Sequence, residues 1–305
     1  MIERIRKRMT SKERSAQMVN RMEDVFQCPL CKSPIKVVDL KSLICTNNHT
    51  YDFAKQGYVN MMARPVKSHY DKQLFAARHK IIAESKLYTE VHKKISEVMR
   101  KHVNGKEESI RIFDAGCGEG SHLQQIVNEC KDDKITGIGL DISKEGIALA
   151  ARNHKESMIW LVGDLASSPF TDQSLQTVLN FLSPANYKEF KRILAPGGLM
   201  IKVVPRTHYL KELRDEIFGK TDKESYENDK TVSLFQTHFD LVNQIKLNYT
   251  KKLSKAELIN LVHMSPLAWN SDEAKIATFL NQDFRDITID LDILVGINNG
   301  ESENR

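Results

Sequence analysis

This 305-residue chain predicts an α/β fold: a doubly wound, Rossmann-like sheet with a small module ahead of it. Three observations point there. From residue 110 onward, short apolar runs alternate with helix-patterned segments, as expected when helices cover both faces of a parallel sheet. A glycine-rich turn, Asp114-Ala-Gly116-Cys-Gly118-Glu119-Gly120, joins the first such run to the first helix. Upstream of both, Cys28-Pro-Leu-Cys31 and Cys45-Thr-Asn-Asn-His49 set four soft donors on two short knuckles.

Residues 1–25 read as a basic extension, with Arg4, Arg6, Lys7, Arg8, Lys12 and Arg14 against Glu3 and Glu13. Such an arm either neutralises phosphates, with an affinity that falls steeply with salt, or is a solvated, partly helical tail. Residues 26–63 form the next module. Hairpin strands Val37–Leu40 and Ser42–Ile44 separate the knuckles, and the spacing matches a closed tetrahedral zinc site of Cys28, Cys31, Cys45 and His49. Four protein ligands leave no open position, so the zinc is expected to be structural. An odd count of five cysteines and a charged N-terminus without an apolar core argue against a disulfide. Cys117 and Cys130 read as packing residues. The stretch Asp52–Asn60 mixes Phe53 and Tyr58 with amides, and either stacks on unpaired bases or forms the core beneath the knuckles.

Residues 64–105 pattern as a helical connector, with apolar residues at spacings of three and four over 71–85 and 87–102. The connector is rich in Lys, Arg and His, including Lys67, His69, Lys72, Arg78 and His79. Asn104-Gly105 is its expected stop, so the catalytic domain spans 106–305.

In that domain the expected strands are 110–113, 135–140, 158–162, 175–182 and 199–204, with two more at 239–247 and 287–297. Helices are expected at 122–130, 144–153, 187–194 and 255–264. Ligands of such a sheet bind at the strand C-termini. Gly116, Gly118 and Gly120 let backbone approach a ligand that a Cβ would exclude. Asp141, at the end of the second strand, suits the two hydroxyls of a ribose. Asp164, followed by Leu165 at the third strand end, either accepts from an adenine amino group or caps a turn. The glycine spacing is G-x-G-x-G, whereas a dinucleotide fingerprint is G-x-G-x-x-G and brings pyrophosphate to a helix N-terminus. Asp114 would repel pyrophosphate but suits a cationic amino group. The cofactor expected is therefore S-adenosylmethionine (SAM), with a nicotinamide or flavin dinucleotide as the rival. Asn180 and Ser183, at the end of the fourth strand, sit where substrate-orienting groups belong.

Composition is that of an ordinary globular protein, with 41% hydrophobic and 28% charged residues and a net charge of +5. No stretch approaches a membrane span, and a cytoplasmic location is expected.

The order of zinc knuckle, Gly57-Tyr-Val-Asn-Met, Asp-x-Gly-Cys-Gly-Glu-Gly, Gly-Leu-Asp141-Ile-Ser-Lys144 and Pro196-Gly-Gly resembles the RlmA/TlrB family. Those are bacterial 23S rRNA (guanine-N1-)-methyltransferases. The resemblance runs from about Val25 to the region of Trp269. Asn180-Phe-Leu-Ser183-Pro184-Ala-Asn186-Tyr187 looks like the Gram-positive, tylosin-resistance branch. The resemblance implies methylation of a guanine in a hairpin loop of domain II of 23S rRNA, at the macrolide and tylosin site, by a homodimer. It also implies SAM contacts from Gly118 and Glu119, and from Tyr88. A family histidine near the cofactor falls on Tyr209 when counted from Gly197-Gly198 without a gap, and on His208 after a shift of one. The residues 1–25 exceed the usual pattern.

Two other functions fit parts of this pattern. A SAM-dependent enzyme with a small-molecule acceptor keeps the cofactor site but gives the zinc module no role. A non-catalytic RNA-binding zinc protein keeps the fold but has no use for intact acids at 114, 141 and 164.

Overall fold

A computed structural model of the chain describes residues 9–62, 64, 70–103, 109–132, 134–154, 157–219, 228–269 and 271–300. Arg4, Arg6, Lys7 and Arg8 of the expected arm lie outside the described residues, as do Lys67, His69 and the expected stop at Asn104-Gly105.

The N-terminal segment begins with helix α1 (Ser11–Asn20), whose start is fixed by a capping box. The Thr10 side chain accepts from the Glu13 backbone N–H, and the Glu13 carboxylate reaches back to Thr10. Strands β1 (Ile35–Val38), β2 (Ser42–Cys45) and β3 (Thr50–Asp52) form a three-stranded antiparallel sheet, with Ile35 opposite Cys45 and Val38 opposite Ser42. Strand β4 (Tyr58–Asn60) leaves that sheet and pairs in parallel with the catalytic sheet.

The connector carries α2 (Lys72–His79), capped by the Asp71 side chain on the Leu74 N–H, and α3 (Thr89–Val103). Between them the backbone widens into a π-helical turn over Lys80–Glu84 and reverses at Lys86, whose φ is 55°. The first of the two expected connector helices is therefore shorter than its apolar periodicity suggested.

Strands then alternate with helices at every step but one. β5 (Ile110–Ala115) leads to α4 (Ser121–Cys130), β6 (Ile135–Asp141) to α5 (Lys144–Asn153), and β7 (Met158–Val162) to β8 (Leu175–Phe181). After β8 come α6 (Tyr187–Ile193) and β9 (Leu194–Pro205). Helices α7 (Lys211–Phe218) and α8 (Asp229–Gln236) then precede β10 (Asp240–Ser254). Helices α9 (Lys255–Met264) and α10 (Glu273–Leu280) lie before β11 (Phe284–Ile297). The eight strands order as β10-β11-β9-β8-β5-β6-β7-β4. Strands β4 to β9 in this sheet run parallel, and β11 is antiparallel to both its neighbours, so the sheet is mixed. This is the expected α/β architecture, with the order reversing at β5, the position at which such sheets bind ligands.

Alternation along β5 divides the interior. Ile110 and Ile112 enter one core with α3 and α4, while Phe113 and Ala115 enter the other. That second core is shared with the N-terminal module. Val25, Phe26, Cys28, Leu43 and Phe53 pack with Phe113, Ile159, Leu161 and Phe170, and the Phe113 and Phe170 rings lie 4.7 Å apart. Phe53 and Tyr58 are both buried, so the structure gives them to the core and not to base stacking. No helix among the described residues is long and apolar enough to cross a membrane.

Because one core spans both modules, Ile159→Ala is expected to cost about 2–5 kcal/mol. Urea unfolding followed by circular dichroism and by zinc release should give coincident transitions, both shifted by the substitution.

Candidate active site and metal centre

The two knuckles bring Cys28, Cys31, Cys45 and His49 together with every donor atom within 4.8 Å of the others. The Cys31 and Cys45 sulfurs are 3.8 Å apart, and the His49 Nδ1 lies 3.4 Å from each of them and 3.5 Å from the Cys28 sulfur. Zinc bonds of roughly 2.3 Å to sulfur and 2.0–2.1 Å to nitrogen generate a tetrahedron with edges close to these. Hydrogen bonds from Ser33 hold the Cys31 thiol down to about 5, favouring the thiolate a metal requires. The donor set fits a structural zinc.

The glycine turn is built by sterics. Gly116 has φ 79°, and a Cβ there would lie 2.1 Å from the Ser183 Oγ. Gly120 has φ 81°, and its Cβ would lie 2.3 Å from the Trp160 ring. Only glycine satisfies both demands at these two positions. Between them, the Gly118 N–H donates to the Asp141 carboxylate at 2.8 Å, while the other Asp141 oxygen accepts from the Ser143 N–H at 2.8 Å. Asp141 thus clamps the turn to the end of β6.

Asp114 is 2% exposed, and its Oδ1 has no hydrogen-bond partner. Burial pushes its carboxyl up to about 7, against the opposing charge of Arg78. A buried carboxylate oxygen with no donor is what a cationic amino group would complete, so the cleft fits SAM. Dinucleotide pyrophosphate would meet the same oxygen with like charge.

Glu119 is fully buried but turns toward a different set of partners. Ser121 donates to it at 2.6 Å, His79 Nδ1 lies 3.3 Å away and His154 Nε2 4.0 Å away. Burial favours the neutral acid, but the hydrogen bonds from His154, His79 and Ser121 and the Arg78 charge outweigh it and hold Glu119 at about 2. His79, Glu119 and His154 approach metal-ligand spacing, yet hydrogen bonds among them and Ser121 already account for the arrangement. Arg78, from α2, lies across this turn: its Nε is 3.8 Å from Glu119 and 3.4 Å from where a Gly118 Cβ would sit. That Nε has no hydrogen-bond partner, and the side chain remains 23% exposed.

At the other strand ends the picture is mixed. Asp164 is exposed and caps a short 3-10 turn through the Ala166 N–H at 2.8 Å, with half-buried Leu165 following. Asn180 is wholly engaged by protein. Its amide donates to Ala115 O at 3.2 Å and Pro184 O at 3.0 Å, and its oxygen accepts from Lys202. Lys202 also donates to Ser183 O at 3.2 Å, and burial lowers it to about 8. The Ser183 side chain, by contrast, faces Gly116 at the cleft. Tyr88 is buried and its hydroxyl meets that of Tyr209 at 2.6 Å, whereas the His208 side chain is exposed and its backbone N–H donates to Asp290.

Residues 26–70 match the RlmA N-terminal zinc-ribbon family model, and residues 112–198 match a methyltransferase domain model. A Bacillus subtilis protein named putative 23S rRNA (guanine-N1-)-methyltransferase is 38% identical, covering 90% of this chain and 97% of its own. The chain belongs to this family. A Streptomyces fradiae member, named 23S rRNA (guanine(748)-N1)-methyltransferase, is 30% identical over 83% of this chain and 88% of its own. A third member, from Micromonospora griseorubida, is 27% identical over 82% of this chain and 89% of its own. Family membership, fold and cleft together make this a SAM-dependent methyltransferase with a zinc ribbon.

Sequence reasoning did not single out two residues that the structure brings beside this turn and strand end. Arg78 shares a helix face with Phe75 one turn away, a pairing that signals a shared target but not which target. Lys202 interrupts the buried run Leu199–Val204, and a charge in such a strand is itself a signal.

Two outcomes are expected. Removing zinc with a strong chelator should melt the ribbon and, through the shared core, lower the melting temperature of the whole chain. For Asp114 the raised folded value means that stability present in acid is lost as pH rises through about 7. Asp114→Asn keeps a neutral side chain, so the melting-temperature gain of the cofactor-free variant over wild type should be largest at pH 8, smaller at pH 5 and absent near pH 3. It should also bind S-adenosylhomocysteine (SAH) more weakly, as thermal melts with and without SAH would report.

Proposed function

We propose that this enzyme methylates N1 of a guanine in a hairpin loop of domain II of 23S rRNA, at the macrolide and tylosin site, in the cytoplasm. The observation that carries the reading is one chain holding a zinc ribbon and an amine-accepting cofactor cleft, 38% identical along nearly its whole length to a relative named for that reaction.

Bound SAM would supply an electrophilic methyl group on sulfur. In this reading Asp114 receives its amino group, Arg78 its carboxylate and Asp141 its ribose hydroxyls. Backbone at Gly116, Gly118 and Gly120 lines the cleft, and Asp164 with Leu165 borders the adenine. Tyr88, with Tyr209 rather than His208 beside it, closes the wall. The Glu119 charge acts locally, fixing His79 and α2 against the turn. Ser183 orients the acceptor base. Asn180, whose hydrogen bonds are spent on Ala115, Pro184 and Lys202, positions Ser183 rather than touching the base. Alignment and exclusion of water supply much of the acceleration. The guanine must be unpaired or flipped, which favours a loop over a duplex.

Methyl transfer to 23S rRNA from cells lacking this gene, read by primer extension, tests the proposal. A methyl on N1 blocks the Watson–Crick edge, so a new stop beside a domain II loop guanine is expected. Label without a stop, or no label despite SAH binding, contradicts it. Asn180→Ala should lower turnover by about a hundredfold with SAH affinity nearly unchanged, as misplacement of a reacting partner does. Equal losses in both would sink the positioning role.

A further inference from the structure

Tyr70 and Trp269 are each 43% exposed and meet edge to face, with ring centroids 5.3 Å apart. They are distant in the chain: Tyr70 precedes α2 in the connector, and Trp269 follows α9 in the catalytic domain. The pair is continuous with the cofactor turn. The Tyr70 ring lies 6.1 Å from that of Phe75, and Phe75 atoms sit 3.4 Å from the Cβ position of Gly118 and 2.9 Å from that of Gly146. One buried ring thus separates an exposed aromatic step from the turn that lines the cleft.

Aromatic surface of this kind is costly to leave in water and is useful where flat ligands arrive. A base taken from an RNA loop leaves neighbours that have lost a stacking partner, and aromatic side chains supply one. Lys72 lies two residues from Tyr70 and is exposed, within reach of a phosphate next to such a base, with the exposed Asp71 between them. Other large exposed apolar residues, such as Phe218, Val242 and Phe284, lie on elements remote in sequence from this step.

We propose that the Tyr70–Trp269 step is a stacking platform for unpaired bases beside the target guanine. The inference rests on the RNA reading above. Trp269 is the platform's principal surface, and Tyr70 braces it against Phe75 and the cofactor turn.

The chain has two tryptophans, and Trp160 is 2% exposed, so fluorescence quenching by RNA reports on Trp269. A hairpin oligonucleotide with guanines in its loop should quench wild-type emission, and a fully paired duplex of equal length should not. Trp269→Ala should weaken hairpin binding about tenfold or more, the size of one lost base stack. Trp269→Phe should recover most of it, and SAH affinity should be unchanged in both. Unaltered hairpin affinity in Trp269→Ala overturns the platform while leaving the RNA reading intact. So does a matching loss of SAH affinity, which would make Trp269 a packing residue, or a dimer-to-monomer change, which would give the surface to a second copy. A wild-type protein that neither binds nor methylates the hairpin overturns both readings.

Discussion

Everything at the catalytic centre depends on backbone filling a place where side chains do not fit. The turn from β5 into α4 passes between Ser183 on one side and the Trp160 ring on the other. Gly116 and Gly120 take left-handed conformations with no room for a Cβ. That passage brings the Gly118 N–H onto Asp141 and leaves Asp114 buried beneath the turn with an unpaired oxygen. An unpaired carboxyl oxygen at that place suits a cofactor with a cationic end better than one carrying pyrophosphate. The penalty is a carboxyl held in a dry place, where burial resists its ionisation, and a cationic ligand group would relieve it.

The zinc ribbon is tied into the same framework. β4 extends the catalytic sheet beyond β7, and the ribbon's apolar residues share a core with β5, β7 and Phe170. Residues around the metal centre therefore share a core with the sheet that carries the cleft. The connector closes the link: α2 leaves the ribbon and delivers Phe75 and Arg78 onto the glycine turn.

Much of this was legible in the sequence because the signals are local. Knuckle spacing, the glycine motif and the alternation of runs lie within short windows, and helix α9 coincides with its expected range, 255–264. What escaped were relationships between distant residues. Nothing near Glu119 announces His79 and His154, and nothing near Tyr58 announces a parallel partner at Trp160. Helix α1 was foreshadowed by Thr10 and Glu13 at capping-box spacing, but the basic charges around it drew attention to the surface instead. The π-helical turn after α2 escaped because the apolar periodicity runs through it unbroken. Asn180 was expected to orient the substrate, yet its side chain meets Lys202 across the sheet, a contact that periodicity alone does not reveal.

The most direct test is the structure of the SAH complex. The account predicts the ligand's amino group on the unpaired Asp114 oxygen, its carboxylate on Arg78 and its ribose hydroxyls on Asp141. An amino group turned away from Asp114, with that carboxylate still lacking a partner, would contradict it.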